Sequence, residues 1–173
     1  MVAYSFKRRF VLRIQVGLGL ATPGPECPQV LPPPKRQTIR LDRRRHARPG
    51  EEVQLYCAQR TKRCFLIGRA RCTDVQLIRI EFERPRRRRD RVYVGGVLRF
   101  AEHRELDAFA RADGFGDWSA LRLFWHDEHP GIADFEGVLI SWKPLGAENE
   151  TGHRVESREG RESNRQNRDQ LNG

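Results

Sequence analysis

The chain has 173 residues, enough for one domain with a hydrophobic core but hardly enough for two. Its formal net charge of +10, carried mostly by arginine, favours polyanionic partners, and the alternative is a basic protein whose charge only keeps it soluble. No apolar stretch approaches the length of a membrane span, so we expect a cytoplasmic protein without a membrane partner.

The first third of the chain predicts a strand, a helix and a loop. Residues 3–6 favour a short strand, and Phe6, Phe10, Ile14 and Gly17 then recur at helical spacing. Residues 18–34 contain six prolines, which disfavour regular structure and predict an extended surface loop.

From Thr38 onward the sequence predicts mostly strands, followed by two helices. Helices are expected over residues 102–112, ended by Gly114, and from an Asp117 cap to about Glu128. The strand candidates are residues 53–57, 65–73, 75–82, 92–94, 97–100 and 135–142. This order predicts an α+β fold, a small β-barrel with flanking helices over residues 1–143, and a disordered polar tail over 144–173.

The cysteines and histidines do not predict a metal site. The four cysteines form no C-x-x-C pair and the five histidines complete no ligand spacing, so we expect no metal and no cofactor. Cys57, Cys64 and Cys72 fall in predicted strands, where a buried thiol acts as a small apolar residue. We therefore expect a reducing compartment and no structural disulfides.

The sharpest local feature is Lys35-x-x-Thr38-x-Arg40, at the point where the proline-rich loop meets a strand. In an extended strand Thr38 and Arg40 point to the same face, so one ligand can contact both. Lys35 becomes a base only if burial or neighbouring cations lower its pKa. The alternative is three exposed polar residues at the start of a strand.

Asp113 is a second candidate, because it continues the apolar stripe of the helix over residues 102–112. It lies three and four residues beyond Ala110 and Phe109, which places it on the buried face. Burial and a helix C-terminus both raise the pKa of a carboxyl group, as a general acid requires. The alternative is a helix-end residue that leans into solvent beside Gly114.

Several short motifs follow one another in a fixed order: Phe6-Lys7-x-x-Phe10, Ile14-x-x-Gly17, Lys35-x-x-Thr38-Ile39-Arg40, Pro49-Gly50-Glu51 before Val53-Gln54-Leu55-Tyr56, Ile67-Gly68-Arg69-Ala70, Ala112-Asp113-Gly114-Phe115 and Gly137-Val138-Leu139-Ile140. Through these motifs the chain resembles the ASCH domains, a group of PUA-like β-barrels, over residues 3–142. The resemblance implies a nucleic-acid-binding barrel with a central pocket.

One branch of that family, the small bacterial amidohydrolases that deacetylate N4-acetylcytidine, implies specific catalytic roles. By motif position, Lys35 corresponds to the proton acceptor, Thr38 to the nucleophile and Asp113 to the proton donor, which is a glutamate in those enzymes. The family's helix-ending glycine directly precedes its lysine, whereas here residues 18–34 intervene. That insertion acts as a lid, forms a harmless bulge or displaces Lys35.

The chain has two basic runs, residues 35–48 and residues 84–91. They predict a surface that binds the phosphate backbone of a nucleic acid; the alternative is a pair of solvated loops. The predicted nucleic-acid-binding residues are Arg36, Arg40, Arg43, Arg44, Arg45, Arg48, Arg86, Arg87, Arg88 and Arg89. Trp118, Trp125 and Trp142 have the spacing of core residues rather than of a base-stacking platform.

Three functions are compatible with these features. The first is an RNA- or nucleoside-binding domain with a pocket built on Lys35, Thr38, Arg40 and Asp113. The second is an amidohydrolase that acts on acylated cytosine nucleosides. The third is a protein-interaction adaptor that uses the proline loop and the charged tail. The sequence leaves the oligomeric state open.

Overall fold

The computed structural model describes residues 1–21, 31–83 and 89–146 of the chain. Their architecture is α+β, with one sheet of seven strands and helices packed beside it. The strands are β1 (Val2–Phe6), β2 (Gln37–Arg40), β3 (Glu52–Cys57), β4 (Phe65–Glu81), β5 (Arg91–Val94), β6 (Val97–Phe100) and β7 (Asp134–Pro144). The helices are α1 (Val11–Gly17), preceded by a 3-10 turn over Arg8–Phe10, α2 (His103–Ala112) and α3 (Trp118–Glu128).

Strand β4 organises the sheet because its 17 residues pair along most of their length with β7. On its other edge, the first part of β4 pairs with β3 and the last part with β5. The prediction of two separate strands here was wrong: the register with β7 shifts between Cys72 and Asp74, so a bulge bends one continuous strand. A bulge changes the direction of a strand without ending its ladder.

The sheet is not closed into a barrel by main-chain pairing among the described residues. β1 pairs in parallel with β3 and β2 pairs antiparallel with β7, which leaves β1 and β2 as open edges. A side chain bridges these edges, since the Arg40 guanidinium donates a hydrogen bond of 2.7 Å to the carbonyl oxygen of Ser5. The predicted closed barrel is therefore replaced by an open sheet with a side-chain link.

The helices are placed by their caps and by large aromatic residues. The Asp117 side chain accepts a hydrogen bond from the backbone N–H of Ala120, as predicted for the start of α3. Trp118, Trp125 and Trp142 are all buried, which confirms their assignment to the core.

The ends of the proline-rich insertion have no regular structure at residues 18–21 and 31–34. Leu18 and Leu20 contact Gly68 of β4, because a Cβ built on this glycine would meet both leucine side chains. Residues 22–30 lie outside the described residues, as does most of the predicted tail, from residue 147 onward.

The cysteines differ in their surroundings. Cys57 and Cys72 are buried free thiols, as predicted, but Cys64 is exposed because it lies in the turn before β4. Cys27 lies outside the described residues. Within the described ranges there is no cluster of three metal-ligating side chains, and no helix long and apolar enough to cross a membrane.

Candidate nucleoside pocket

Backbone hydrogen bonds fix the chain at Lys35 between α1 and the end of α2. The Lys35 N–H donates to the carbonyl oxygen of Arg13 in α1 at 2.9 Å, and the next N–H donates to that of Ala112 at 3.0 Å. The end of α1 packs directly on it, since a Cβ on Gly17 would lie 2.4 Å from the Lys35 carbonyl oxygen. The chain therefore leaves the helix and returns beside it, and the displacement of Lys35 considered from the sequence was wrong.

Gly17→Ala tests this close contact. Since the added methyl would meet backbone rather than a flexible side chain, we expect a loss of about 1–3 kcal/mol in unfolding free energy and a shift of Lys35. Chemical denaturation measures the loss. Gly116→Ala is the matched control, since a Cβ there meets nothing within 4 Å. Equal stability of the two variants would contradict the contact.

Lys35 and Asp113 form a buried ion pair. The Lys35 Nζ donates to the Asp113 carboxylate at 2.7 Å and to the Asp113 backbone carbonyl at 2.6 Å. The two residues are only 2% and 6% exposed, so the prediction that Asp113 lies on the buried face is confirmed and the solvent-facing alternative is wrong. Asp113 is set at this point because α2 ends there, followed by Gly114 at a φ of +86°.

Burial moves both members of the pair towards their neutral forms. Desolvation lowers the pKa of Lys35 and raises the pKa of Asp113, while their mutual attraction opposes both shifts. Arg40 lowers both pKa values, because a nearby cation disfavours a charged lysine and favours a charged carboxylate; it thus adds to the shift of Lys35 and opposes that of Asp113. A proton can therefore pass from Lys35 to Asp113 at a smaller free-energy cost than in water.

Two phenylalanines enclose this charge pair. The Lys35 Nζ lies 4.8 Å from the ring centroid of Phe10 and 5.9 Å from that of Phe6. Such rings stabilise a cation through their negative faces and exclude water from it. Phe6 ends β1, as the predicted strand over residues 3–6 implies, and Phe10 ends the 3-10 turn that leads into α1.

Strand β2 brings Thr38 and Arg40 to the same place. Thr38 is 4% exposed, and among the described residues no partner forms a hydrogen bond with its hydroxyl. The Arg40 guanidinium carbon lies 4.9 Å from the ring centroid of Phe6, beside the bond to Ser5. As predicted from strand geometry, the two side chains face the same space.

That space is a pocket of about 420 Å³, lined by Lys35, Thr38, Arg40 and Asp113 together. The structure thus brings together all four residues predicted for the pocket. Sequence reasoning missed much of the remaining wall, which comprises Ser5, Phe6, Lys7, Phe10, Ile39, Ala58, Phe124, Trp125, Glu128 and His129. Lys7 and Glu128 form an ion pair between β1's end and α3. No local signal identifies Phe124, Trp125, Glu128 and His129, since only the docking of α3 brings them to the pocket, whereas Phe6, Lys7 and Phe10 belong to a motif that the sequence analysis singled out without assigning it to the pocket.

Among the residues that the structure describes, the predicted phosphate-binding arginines lie outside the pocket, Arg40 excepted. Arg36, Arg43, Arg44, Arg45 and Arg48 are all exposed. Arg45 pairs with Glu51, and Arg43 lies over the Tyr4 ring at 5.2 Å. Within the described ranges, no carboxylate forms an ion pair with the side chain of Arg44 or Arg48, although Glu51 accepts a hydrogen bond from the Arg48 backbone N–H.

The second basic run is described only at its end. Arg89 is exposed and lies 3.4 Å from a carboxylate oxygen of Glu102. Arg86, Arg87 and Arg88 lie outside the described residues.

No family model, curated protein or solved structure matches this chain. The resemblance to ASCH domains therefore stays a prediction from the short motifs, and the site is argued from its own geometry.

Proposed function

We propose that this protein binds RNA or a nucleoside and holds one base in the pocket of Lys35, Thr38, Arg40 and Asp113. The observation that carries this proposal is the convergence of these four side chains on one cavity of about 420 Å³. A cavity of this size lies within the range that small-molecule sites occupy, about 300–1,000 Å³. The open sheet with its Arg40 link is compatible with a distant relative of the PUA-like barrels.

A base suits the composition of the pocket wall. Phe6, Phe10, Phe124 and Trp125 supply apolar and aromatic surface, against which a flat ring can pack. The polar groups of Lys35, Thr38, Arg40 and Asp113 include both donors and an acceptor, which matches the carbonyl and amino groups of a base edge.

The exposed arginines favour RNA over an isolated nucleoside as the larger ligand. We expect affinity for single-stranded RNA to fall with salt, because bound phosphates release counterions. Arg44→Gln together with Arg48→Gln should reduce the slope of log affinity against log salt by about 1.4, since each phosphate contact contributes roughly 0.7 for single strands. Fluorescence anisotropy over a salt series measures this slope.

The matched control is the double variant Arg99→Gln and Arg104→Gln, on β6 and α2. Both arginines are exposed and lie outside the pocket and the basic runs. An unchanged slope in both double variants, or affinity insensitive to salt in the unaltered protein, would refute the arginine surface.

A second candidate function is hydrolysis of an exocyclic amide, as in an N4-acylated cytosine nucleoside. The contact between Lys35 and Asp113 favours it, because transfer of one proton across 2.7 Å converts the ion pair into a neutral amine and a neutral acid. Those are the forms that a general base and a general acid require.

The chemistry then follows from three side chains. Thr38 Oγ1 attacks the amide carbonyl carbon as the Lys35 amine takes the hydroxyl proton, and Asp113 gives its proton to the leaving nitrogen as the C–N bond breaks. Water attacks the resulting ester and gives a proton to the Asp113 carboxylate. Lys35 returns its proton to Thr38 as the C–O bond breaks, which releases a carboxylic acid and restores all three groups.

Incubation with N4-acetylcytidine tests this candidate. Chromatography should show cytidine and acetate forming in equal amounts. Binding of N4-acetylcytidine without product would remove the enzymatic function and leave the binding function in place.

A further inference from the structure

Arg40 leaves a hydrogen-bond donor unused beside the pocket. One of its terminal nitrogens bonds the Ser5 carbonyl, but its Nε is buried and has no hydrogen-bond partner among the described residues. A buried donor without an acceptor destabilises the fold. Arg40 also lines the pocket, and its remaining terminal nitrogen has no hydrogen-bond partner among the described residues, so a ligand oxygen can accept from that nitrogen.

The charges in the pocket also favour a ligand that has a hydrogen-bond acceptor. Lys35 and Arg40 face one carboxylate, that of Asp113, while Lys7 and Glu128 pair with each other. One positive charge is left over, and Arg40 carries it because Lys35 already contacts Asp113. A guanidinium that is fixed by Phe6 and Ser5 is an oriented donor rather than a mobile counter-ion.

The position of Arg40 along β2 separates it from the reacting amide. An oxyanion formed by attack of Thr38 lies on the attacked carbon, next to the threonine oxygen. Arg40 is two residues further along the strand, about 7 Å at Cα. Because the guanidinium lies against Phe6 and bonds Ser5 of β1, we assign it to a different oxygen of the same ligand, on the ring.

We propose that Arg40 is a specificity-determining residue that binds a ring carbonyl oxygen of the ligand. The pocket then selects acylated bases that carry a carbonyl on the ring, such as the 2-oxo group of an N4-acylated cytosine. This inference rests on the proposed function, because it assumes that a base occupies the pocket. Phe6 and Ser5 act through Arg40 as positioning groups.

A matched pair of small ligands tests the proposal on the unaltered protein. N4-acetylcytosine and 4-acetamidopyrimidine share the six-membered ring skeleton and the amide, and only the first has the 2-oxo group with its neighbouring N1–H. We expect the second to bind about 10- to 100-fold more weakly by calorimetry, the loss that a charged hydrogen bond implies. Equal affinities would overturn the role of Arg40 while leaving the base pocket intact, whereas failure of both ligands to bind would overturn the pocket as well.

Variants of Arg40 test whether this residue causes the preference for the ligand with the 2-oxo group. Arg40→Met and Arg40→Gln should bind the two ligands with similar affinity, whereas Arg99→Met, an exposed control on β6, should keep the full preference. Arg40 also links β1 to β2, so thermal unfolding is recorded for each variant. If the variants do not fold, the ligand pair on the unaltered protein decides; if they fold and still discriminate, the proposal is wrong.

Discussion

Lys35→Met should lower the free energy of unfolding by about 3–5 kcal/mol, because it leaves the Asp113 carboxylate buried without its cation. Lys35 and Asp113 are among the least exposed polar residues of the described chain, and the lysine is the carboxylate's hydrogen-bond donor at 2.7 Å. Methionine keeps much of the length of the side chain, so the loss reports charge more than volume. Urea denaturation monitored by tryptophan fluorescence measures it.

The double variant Lys35→Met with Asp113→Leu separates the charge from the packing. Removing both partners leaves no uncompensated charge, so most of the stability lost in the single variant should return. A double variant as unstable as the single one would show that the packing around Lys35, rather than its charge, determines the loss.

The stability that the Lys35→Met variant loses should depend on pH in a definite direction. Burial already raises the pKa of Asp113, and removal of Lys35 takes away the largest opposing effect, so the folded pKa rises further. A carboxyl with a folded pKa above its unfolded value favours folding most below the unfolded pKa and loses that contribution as pH rises through the folded pKa. The loss of unfolding free energy caused by Lys35→Met should therefore be smaller at acidic than at neutral pH.

Local patterns predicted most of the elements and the central residues of the pocket. The helical period placed Asp113 on the buried face, and the alternation of β2 placed Thr38 and Arg40 together, because both depend only on neighbours along the chain. The bulge in β4 was missed, since Thr73 and Asp74 have the composition of a turn and only pairing with β7 keeps the strand continuous. Barrel closure was also predicted wrongly, because strand pairing between β1 and β2 depends on contacts distant in sequence.

The contact of Lys35 with Asp113 shows most clearly what could not be predicted from the sequence. The two residues are 78 positions apart, and each could be selected as a candidate from its own surroundings. Their pairing depends on how the end of α2 meets the chain returning from the insertion, which no local pattern contains. The pocket's aromatic wall from α3 depends on docking in the same way.

Thr38→Val should lower the rate of amide hydrolysis roughly a thousandfold or more if the threonine is the nucleophile. Valine has nearly the same shape, and among the described residues the hydroxyl has no hydrogen-bond partner to lose. The fold and the affinity for N4-acetylcytidine should therefore change little, because only the attacking oxygen is removed. Single-turnover chromatography and calorimetry measure the two effects separately.

Two further substitutions make this assignment specific. Thr38→Ser keeps the attacking oxygen and should retain part of the turnover, because a less restrained serine samples more rotamers than the β-branched threonine. Thr73→Val is the matched control, since Thr73 is an exposed threonine on β4 outside the pocket. Full turnover in Thr38→Val would assign the attack to water, with Lys35 and Asp113 as the remaining acid and base. A parallel loss in Thr73→Val would instead show that the effect comes from the sheet rather than from the nucleophile.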